Sequence, residues 1–283
     1  MELFFKMSDI RSRNSNLLNK LWNMTLIFGL GSLVCGMIFA APVTCLGQEG
    51  KGAESVSPER FFSRGNDYYE KGEYENAITE YEKILAGGKE SAPLYYNIAN
   101  SYFKSGKLGK AILNYERAKC LMPRDADLNT NYKFAKTMVK GKVISAKSVW
   151  SWRPIRMYCG SLSVNELVWV TSGAYVFMII LLFITLLRPG RNKYFLAGVV
   201  LLVVFIVFNS VVIWRKARYK DTHAVTIVSR ADAFFGPFDT ATKFFTLPEG
   251  MSVTVFKSKN GWYKVRRADG KVGWVNKSDI KRL

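Results

Sequence analysis

The stretch NIANSYFKSGKLGKAILNYERAKCLMP, Asn97 to Pro123, has the spacing of a helix, a turn and a second helix. A pattern close to it stands 34 residues earlier within FSRGNDYYEKGEYENAITEYEKILAGG, Phe62 to Gly88. Superposed at that offset, Gly65 falls on Ala99, Tyr68 on Tyr102, Gly72 on Gly106, Ala77 on Ala111, Tyr81 on Tyr115 and Ile84 on Ala118, with Pro123 closing the second copy. Small residues at Gly65/Ala99 and Ala77/Ala111 let paired helices approach closely, while the tyrosines fill the space between neighbouring pairs. A helical pair that cannot bury its apolar face alone buries it by stacking on the next.

The period is that of the tetratricopeptide repeat. It predicts two repeats, 58–91 and 92–125, followed by a polar helix at 126–140 that caps the stack with a solvated outer face, so that 58–140 forms one helical array. Asn66 and Asn100 share a repeat position, with Phe62/Tyr96 and Tyr69/Phe103 on the same helical face and Lys104 beside them. That face lines the concave surface on which such arrays hold peptides, so Phe62, Asn66, Tyr69, Tyr96, Asn100, Phe103 and Lys104 are the expected groove. For the two asparagines a clamp on a peptide backbone and a plain packing role both fit. Residues 58–91 carry five Lys/Arg against eight Asp/Glu, and 92–142 carry ten against three. This asymmetry reads either as two solvated helix faces or as a polarised groove that orients an extended partner.

Outside the repeats the composition changes. Of 283 residues 49% are hydrophobic, yet the net charge is +19, a mixture that points to regions of different character. Leu167–Leu187 and Tyr194–Trp214 are each free of charged residues and long enough to cross a hydrocarbon core of roughly 30 Å. They predict two transmembrane helices, 167–187 and 194–214, joined by the connector 188–193. Asn209 is the strongly polar residue deep in either span, expected to bond across to the other helix or to mark an oligomer contact, and no intramembrane charge offers an ion path.

At the N-terminus, Lys6, Arg11, Arg13 and Lys20 precede the apolar run Met24–Leu46, which has the order of a secretory signal. Residues 1–47 are therefore a signal peptide or an uncleaved anchor, and 48–57 a linker. Export of the repeat segment places the connector RPGRNK, with Arg188, Arg191 and Lys193, in the cytoplasm, as the positive-inside rule favours. The basic run RKARYK after the second span argues the other way. The expected location is a bacterial inner membrane with the repeats and the C-terminal region on the periplasmic side. A juxtamembrane segment, 141–166, carries Trp150, Trp152 and Tyr158 among Arg153 and Arg156, as interfacial anchors do, and ends in SVNE, a capping-box spacing at the start of the first span.

The last 60 or so residues are β-prone. AVTIV, SVTVF, WYKVRR and VGWV are separated by turn signals at Pro248-Glu249-Gly250, Asn260-Gly261 and Asp269-Gly270, which describes a small all-β barrel over 222–283. The stretch LPEGMSVTVFKSKNGWYKVRRADGKVGWVNKSDI resembles the bacterial SH3 domain, whose Leu-x-x-Gly turn, Gly-Trp-Tyr-x-Val strand and Gly-Trp-Val strand occur in this order. The resemblance implies binding of cell-wall peptides or other proteins. The sequence departs from the family's Asn-Val-Arg-x-Gly-Pro run at RADAFFGPFD, Arg230 to Asp239, where Gly236-Pro237 is kept. Phe234, Phe235 and Phe238 are expected in a variable loop that meets a partner or the membrane. Trp262 and Trp274 are either barrel core or ligand platform, and the five aromatics together form the expected ligand face.

Enzymatic chemistry has little to work with. The chain has one histidine, His223, and its cysteines and carboxylates show no spacing for a metal site or a nucleophile and base. No catalytic residue, metal or cofactor is expected, and nucleic acid is a poor candidate partner, because an exported domain would not meet it and no recognition motif is present. Cys120 and Cys159, which remain once a signal is removed, allow a disulfide or two free thiols. The whole is expected to be a multidomain membrane protein: tetratricopeptide helical hairpins, two transmembrane helices and an SH3-like barrel.

That order of parts, with SLSVNE before the first span and NGWYKV…DGKVGWV near the C-terminus, resembles the BatE-type proteins of the Bacteroides aerotolerance operon. The resemblance implies an inner-membrane scaffold that works with von Willebrand factor A-domain membrane proteins in oxygen or stress tolerance. A peptidoglycan-binding protein that recruits a cell-wall enzyme is the alternative.

Overall fold

The structure is a computed structural model and describes residues 57–140, 153–187 and 193–283. The expected signal or anchor at 1–47, the linker before Ser57, Trp150, Trp152 and the connector arginines Arg188 and Arg191 lie outside the described residues.

Helices α1 (Pro58–Glu70) and α2 (Tyr74–Ala86) form one antiparallel hairpin, and α3 (Ala92–Lys104) and α4 (Leu108–Leu121) form a second. α5 (Ala126–Thr137) packs on α4. Two of the starts are capped by side chains. The Ser91 hydroxyl accepts from Leu94 N–H at 3.3 Å and the Asp125 carboxylate accepts from Leu128 N–H at 2.7 Å, satisfying donors that a helix start leaves open. Each first helix ends at the repeat glycine, Gly72 or Gly106, whose φ of 78° or 77° is the left-handed turn that L side chains resist. The apolar faces meet in one core that includes Ala77, Ile78, Tyr81, Leu94, Ile98, Ala99, Ala111, Ile112, Tyr115 and Leu128. The capping helix α5 is less polar outside than its sequence suggests: Leu128 and Ala135 are buried, while Phe134 and Met138 stand about half exposed.

α6 (Arg153–Ser161) turns the juxtamembrane segment into a short helix ahead of α7 (Val164–Leu187). Ser163 and Glu166 close the expected capping box, Ser163 N–H donating to the Glu166 carboxylate at 2.7 Å and Glu166 N–H to the Ser163 hydroxyl at 3.2 Å. α8 (Lys193–Thr222) packs against α7 as a hairpin. Two helices, over Val164–Ile184 and Phe195–Thr222, are long and apolar enough to cross a membrane. With 30 residues at about 1.5 Å each, α8 exceeds the hydrocarbon thickness. It does not stop at Trp214 but runs on through RKARYK to Thr222, so those cations stand on the final turns of a continuous helix.

No loop separates α8 from the sheet, because β1 (His223–Thr226) begins at the next residue. β2 (Arg230–Phe234), β3 (Lys243–Pro248), β4 (Ser252–Lys259), β5 (Trp262–Arg266), β6 (Val272–Asn276) and β7 (Ile280–Arg282) complete an antiparallel sheet in the order β3-β2-β6-β5-β4-β1-β7. Asn260 and Gly261, both at positive φ, make the two-residue turn that sets Lys259 opposite Trp262. The expected barrel is an open sheet: β3 and β7 are its two edges and do not pair, and β2 reaches β6 through the single pair Phe234 and Trp274. The sheet still curls around one core, in which Leu247 of β3 and Ile280 of β7 join Val253, Val255, Val265 and Val275.

Candidate functional site

Two helices, α1 and α3, supply the expected groove. Phe62 and Tyr96 pack on the second-helix tyrosines, with ring centroids 5.7 Å apart for Phe62 and Tyr81 and 6.2 Å for Tyr96 and Tyr115. Tyr69 meets Tyr74 at 5.4 Å and Phe103 meets Phe134 at 5.8 Å, while Lys104 is exposed. The asparagines hold a ladder. Asn66 Oδ1 accepts from Tyr81 OH at 2.6 Å and from Asn97 Nδ2 at 3.0 Å. One repeat on, Asn100 Oδ1 accepts from Tyr115 OH at 2.6 Å and from Asn131 Nδ2 at 3.5 Å, and Asn131 Nδ2 also donates to Tyr96 OH at 2.7 Å. Both carbonyl oxygens are thus committed to scaffold bonds. Each Nδ2 of Asn66 and Asn100 has no hydrogen-bond partner among the described residues, which leaves both donors open to water or to a bound chain. Burial pushes the Tyr81 hydroxyl up to about 12 and shifts Tyr115 the same way, so both remain protonated donors.

Sequence reasoning singled out Asn66 and Asn100 but not their partners. The signal was present, since Asn97 and Asn131 recur at the same 34-residue spacing. α5 thus carries the asparagine of a repeat's first helix, though Lys133 and Lys136 stand where the repeat has Ala99 and Tyr102.

The five expected SH3-like aromatics divide. Trp262 and Trp274 are buried, and Phe234 belongs to β2 rather than to a loop, its ring edge-on to Trp262 at 5.6 Å. Lys264 Nζ lies 5.8 Å from the Trp274 ring centroid. Phe235 and Phe238 are exposed, as the loop reading requires, and the group gains Phe244, whose ring lies 4.4 Å from Phe235. The exposed aromatics are therefore Phe235, Phe238 and Phe244, while both tryptophans are buried.

The repeats and the sheet are docked on each other. Gly109 N–H donates to the Glu249 carboxylate at 2.7 Å, and a Cβ on Gly109 would fall 2.3 Å from the Thr226 carbonyl oxygen. Val225 is part of the repeat core, with Ile227 and Leu283 packed beside it. Glu116, 4% exposed, accepts from Ser252 OH at 2.7 Å and Tyr132 OH at 2.9 Å, with Lys136 at 3.7 Å. Arg117 donates to the Arg282 carbonyl at 3.1 Å. Below this head, Arg124 pairs with Glu166 and Lys216 donates to the Leu162 carbonyl. Of the two roles expected for Asn209, the bond to the other span is not formed among the described residues: its Oδ1 accepts from Tyr158 OH of α6 at 2.8 Å, and its Nδ2 donates to Phe205 O. Cys120 and Cys159 are free thiols, and burial raises the pKa of Cys120.

A short helical-repeat array fused by a helical hairpin to an SH3-like sheet, with open donors on one part and exposed aromatics on the other, defines a protein-interaction molecule. Residues 65–106 match the TPR repeat family, and residues 236–281 match the bacterial SH3 domain family. No curated protein matches the chain.

Proposed function

We propose that the protein is an adaptor of the bacterial inner membrane. Its repeats and SH3-like sheet face the periplasm as one head, and binding rather than catalysis is its activity. The observation that carries this reading is the docking through Gly109, Glu249, Glu116 and Ser252, which joins two interaction modules at the base of the helix hairpin. Two weak contacts on one linked unit reinforce each other through effective concentration. The BatE-type resemblance supplies the partner class: membrane proteins with a von Willebrand factor A-domain, acting in oxygen or stress tolerance.

The test is crosslinking in cells of tagged full-length protein, followed by detergent purification. Recovery of A-domain membrane proteins, reduced by Asn66→Ala with Asn100→Ala, supports the adaptor. Recovery of wall hydrolases or wall fragments alone removes it and favours the alternative, in which the SH3-like sheet holds peptidoglycan and the repeats recruit a wall enzyme. That alternative draws on the bacterial SH3 match and the exposed Phe235, Phe238 and Phe244. Orientation is checked separately with a reporter active only in the cytoplasm, fused after Leu283, which the periplasmic reading requires to be silent.

A further inference from the structure

The face of α3 opposite the asparagine row borders a second concavity. Here α2, α3 and α4 meet β7 and the last turn of α8 around a cleft of about 670 Å³, room for a small ligand or a few side chains of a longer one. Its floor is apolar and aromatic, from Tyr95, Ile98, Tyr102 and Leu113. Four cations, Lys110, Arg117, Lys220 and Lys281, stand around it against two side-chain carboxylates, Glu82 and Glu90. Among the described residues none of the four cations takes part in an ion pair. Two are held in place by other means. Arg117 lies over the Tyr95 ring and donates to the Arg282 carbonyl, and Lys110 lies over the Tyr102 ring. Glu82 is held at the other side by Tyr102 OH at 2.6 Å.

At the floor sits Asn114, 5% exposed, whose Nδ2 donates back to the Lys110 carbonyl at 2.9 Å. Its Oδ1 has no partner among the described residues and is not among the fully buried unsatisfied atoms, so it opens to the cleft as an acceptor for an incoming N–H. Unpaired cations around an apolar floor with one aimed amide acceptor suit a chain that carries carboxylates, apolar side chains and backbone N–H groups together.

We infer that this cleft binds an acidic peptide segment of a partner protein. The inference rests on the adaptor reading and gives it a second site, distinct from the asparagine row and present only when repeats and sheet are docked. The excess of cations supplies the attraction. The floor supplies apolar contact area, and the Asn114 oxygen fixes the register of the segment.

The experiment uses full-length protein in nanodiscs of phosphatidylcholine, titrated against a fluorescein-labelled peptide of alternating Glu and Leu. A peptide with Lys in place of Glu is the control. Wild type is expected to bind the acidic peptide alone, and more weakly as salt rises from about 0.1 to about 0.5 M. Lys110→Glu with Lys281→Glu is expected to weaken binding by about tenfold or more, the scale of two lost charge contacts. Lys257→Glu with Lys259→Glu, an equal change of charge on exposed residues of β4, is expected to leave binding within about twofold of wild type. Glu90→Lys is expected to strengthen binding, a gain that misfolding cannot imitate. The inference is overturned by no binding at about 1 mM peptide, or by equal loss in both charge-reversed pairs. Abolition of binding when anionic phosphatidylglycerol is added also overturns it, since that assigns the cleft to lipid headgroups. Unchanged capture of A-domain proteins by the Lys110/Lys281 variant would refute the cleft and leave the adaptor standing. Peptide binding without any captured partner would keep the cleft and remove the adaptor.

Discussion

The backbone N–H of Gly109 donates to the carboxylate of Glu249 at 2.7 Å, joining residues 140 positions apart. Gly109 lies in the first turn of α4, where N–H groups have no partner inside the helix and the helix dipole favours a negative charge. Glu249 acts there as a cap supplied by another domain. Gly109→Ala leaves the N–H in place but drives a methyl into the Thr226 carbonyl, a backbone atom that cannot swing aside. The expected loss is about 1 to 3 kcal/mol, the scale of an overpacked contact. Glu249→Ala should lose about 1 kcal/mol, as a missing cap does. Thermal melts of the detergent-solubilised protein measure both, and faster proteolysis near Thr222 in the Gly109 variant checks that the loss is one of docking.

The asparagine ladder predicts coupling rather than simple additivity. Asn66→Ala strips a buried tyrosine hydroxyl of its acceptor, and Tyr81→Phe removes the hydroxyl itself. Each change is expected to cost about 1 to 2 kcal/mol, and the double variant less than the sum by about 1 kcal/mol. Additive values in a double-mutant cycle would show that the Asn66 oxygen does not hold the helices together.

His223 predicts a pH dependence. It stacks on Tyr219 with ring centroids 3.7 Å apart, next to the Thr222 hydroxyl and within the field of Glu116. Burial lowers its pKa below the ordinary 6.5, and Glu116 opposes this more weakly. The unfolded chain therefore takes up the proton first. This contribution to stability is complete above about pH 6.5 and is lost as pH falls through the depressed value, with a slope of at most about 1.4 kcal/mol per pH unit. His223→Phe keeps the stacking and removes the titration. The difference between wild type and variant in denaturation midpoint, followed from about pH 7.5 to about pH 5, should grow on acidification. A constant difference would rule this account out.

Tyr158 and Asn209 tie α6 to α8. Tyr158→Phe is expected to destabilise the solubilised protein by about 0.6 to 2 kcal/mol, as measured for polar contacts between membrane helices. No change in unfolding midpoint would mean that the contact is dispensable.

Much of this architecture was legible along the chain because its signals are local. A 34-residue period places helices whatever they later touch, and Ser163 with Glu166 is a four-residue pattern that caps the helix it begins. Asn260-Gly261 is likewise a turn wherever it occurs, since positive φ is a property of those two residues. Sequence alone thus determined two repeats, two apolar helices and a β-rich C-terminal part. What it left out depends on residues far apart in number. Phe234 reads as one of three loop aromatics until pairing with β6 and the edge of Trp262 draws it inward. Asn209 reads as a contact between spans until Tyr158 is seen to reach it. RKARYK reads as a topological signal, but tertiary structure gives part of it local work, with Lys216 on the Leu162 carbonyl. The docking of sheet on repeats left the least trace, because Gly109 and Gly250 are individually ordinary glycines. Only the folded chain shows that Gly109 admits the β1 backbone and that a side chain on Gly250 would strike Ile112. Local periodicity fixed the parts, and close packing between distant segments decided how they meet, because packing depends on atoms that no short window of sequence contains.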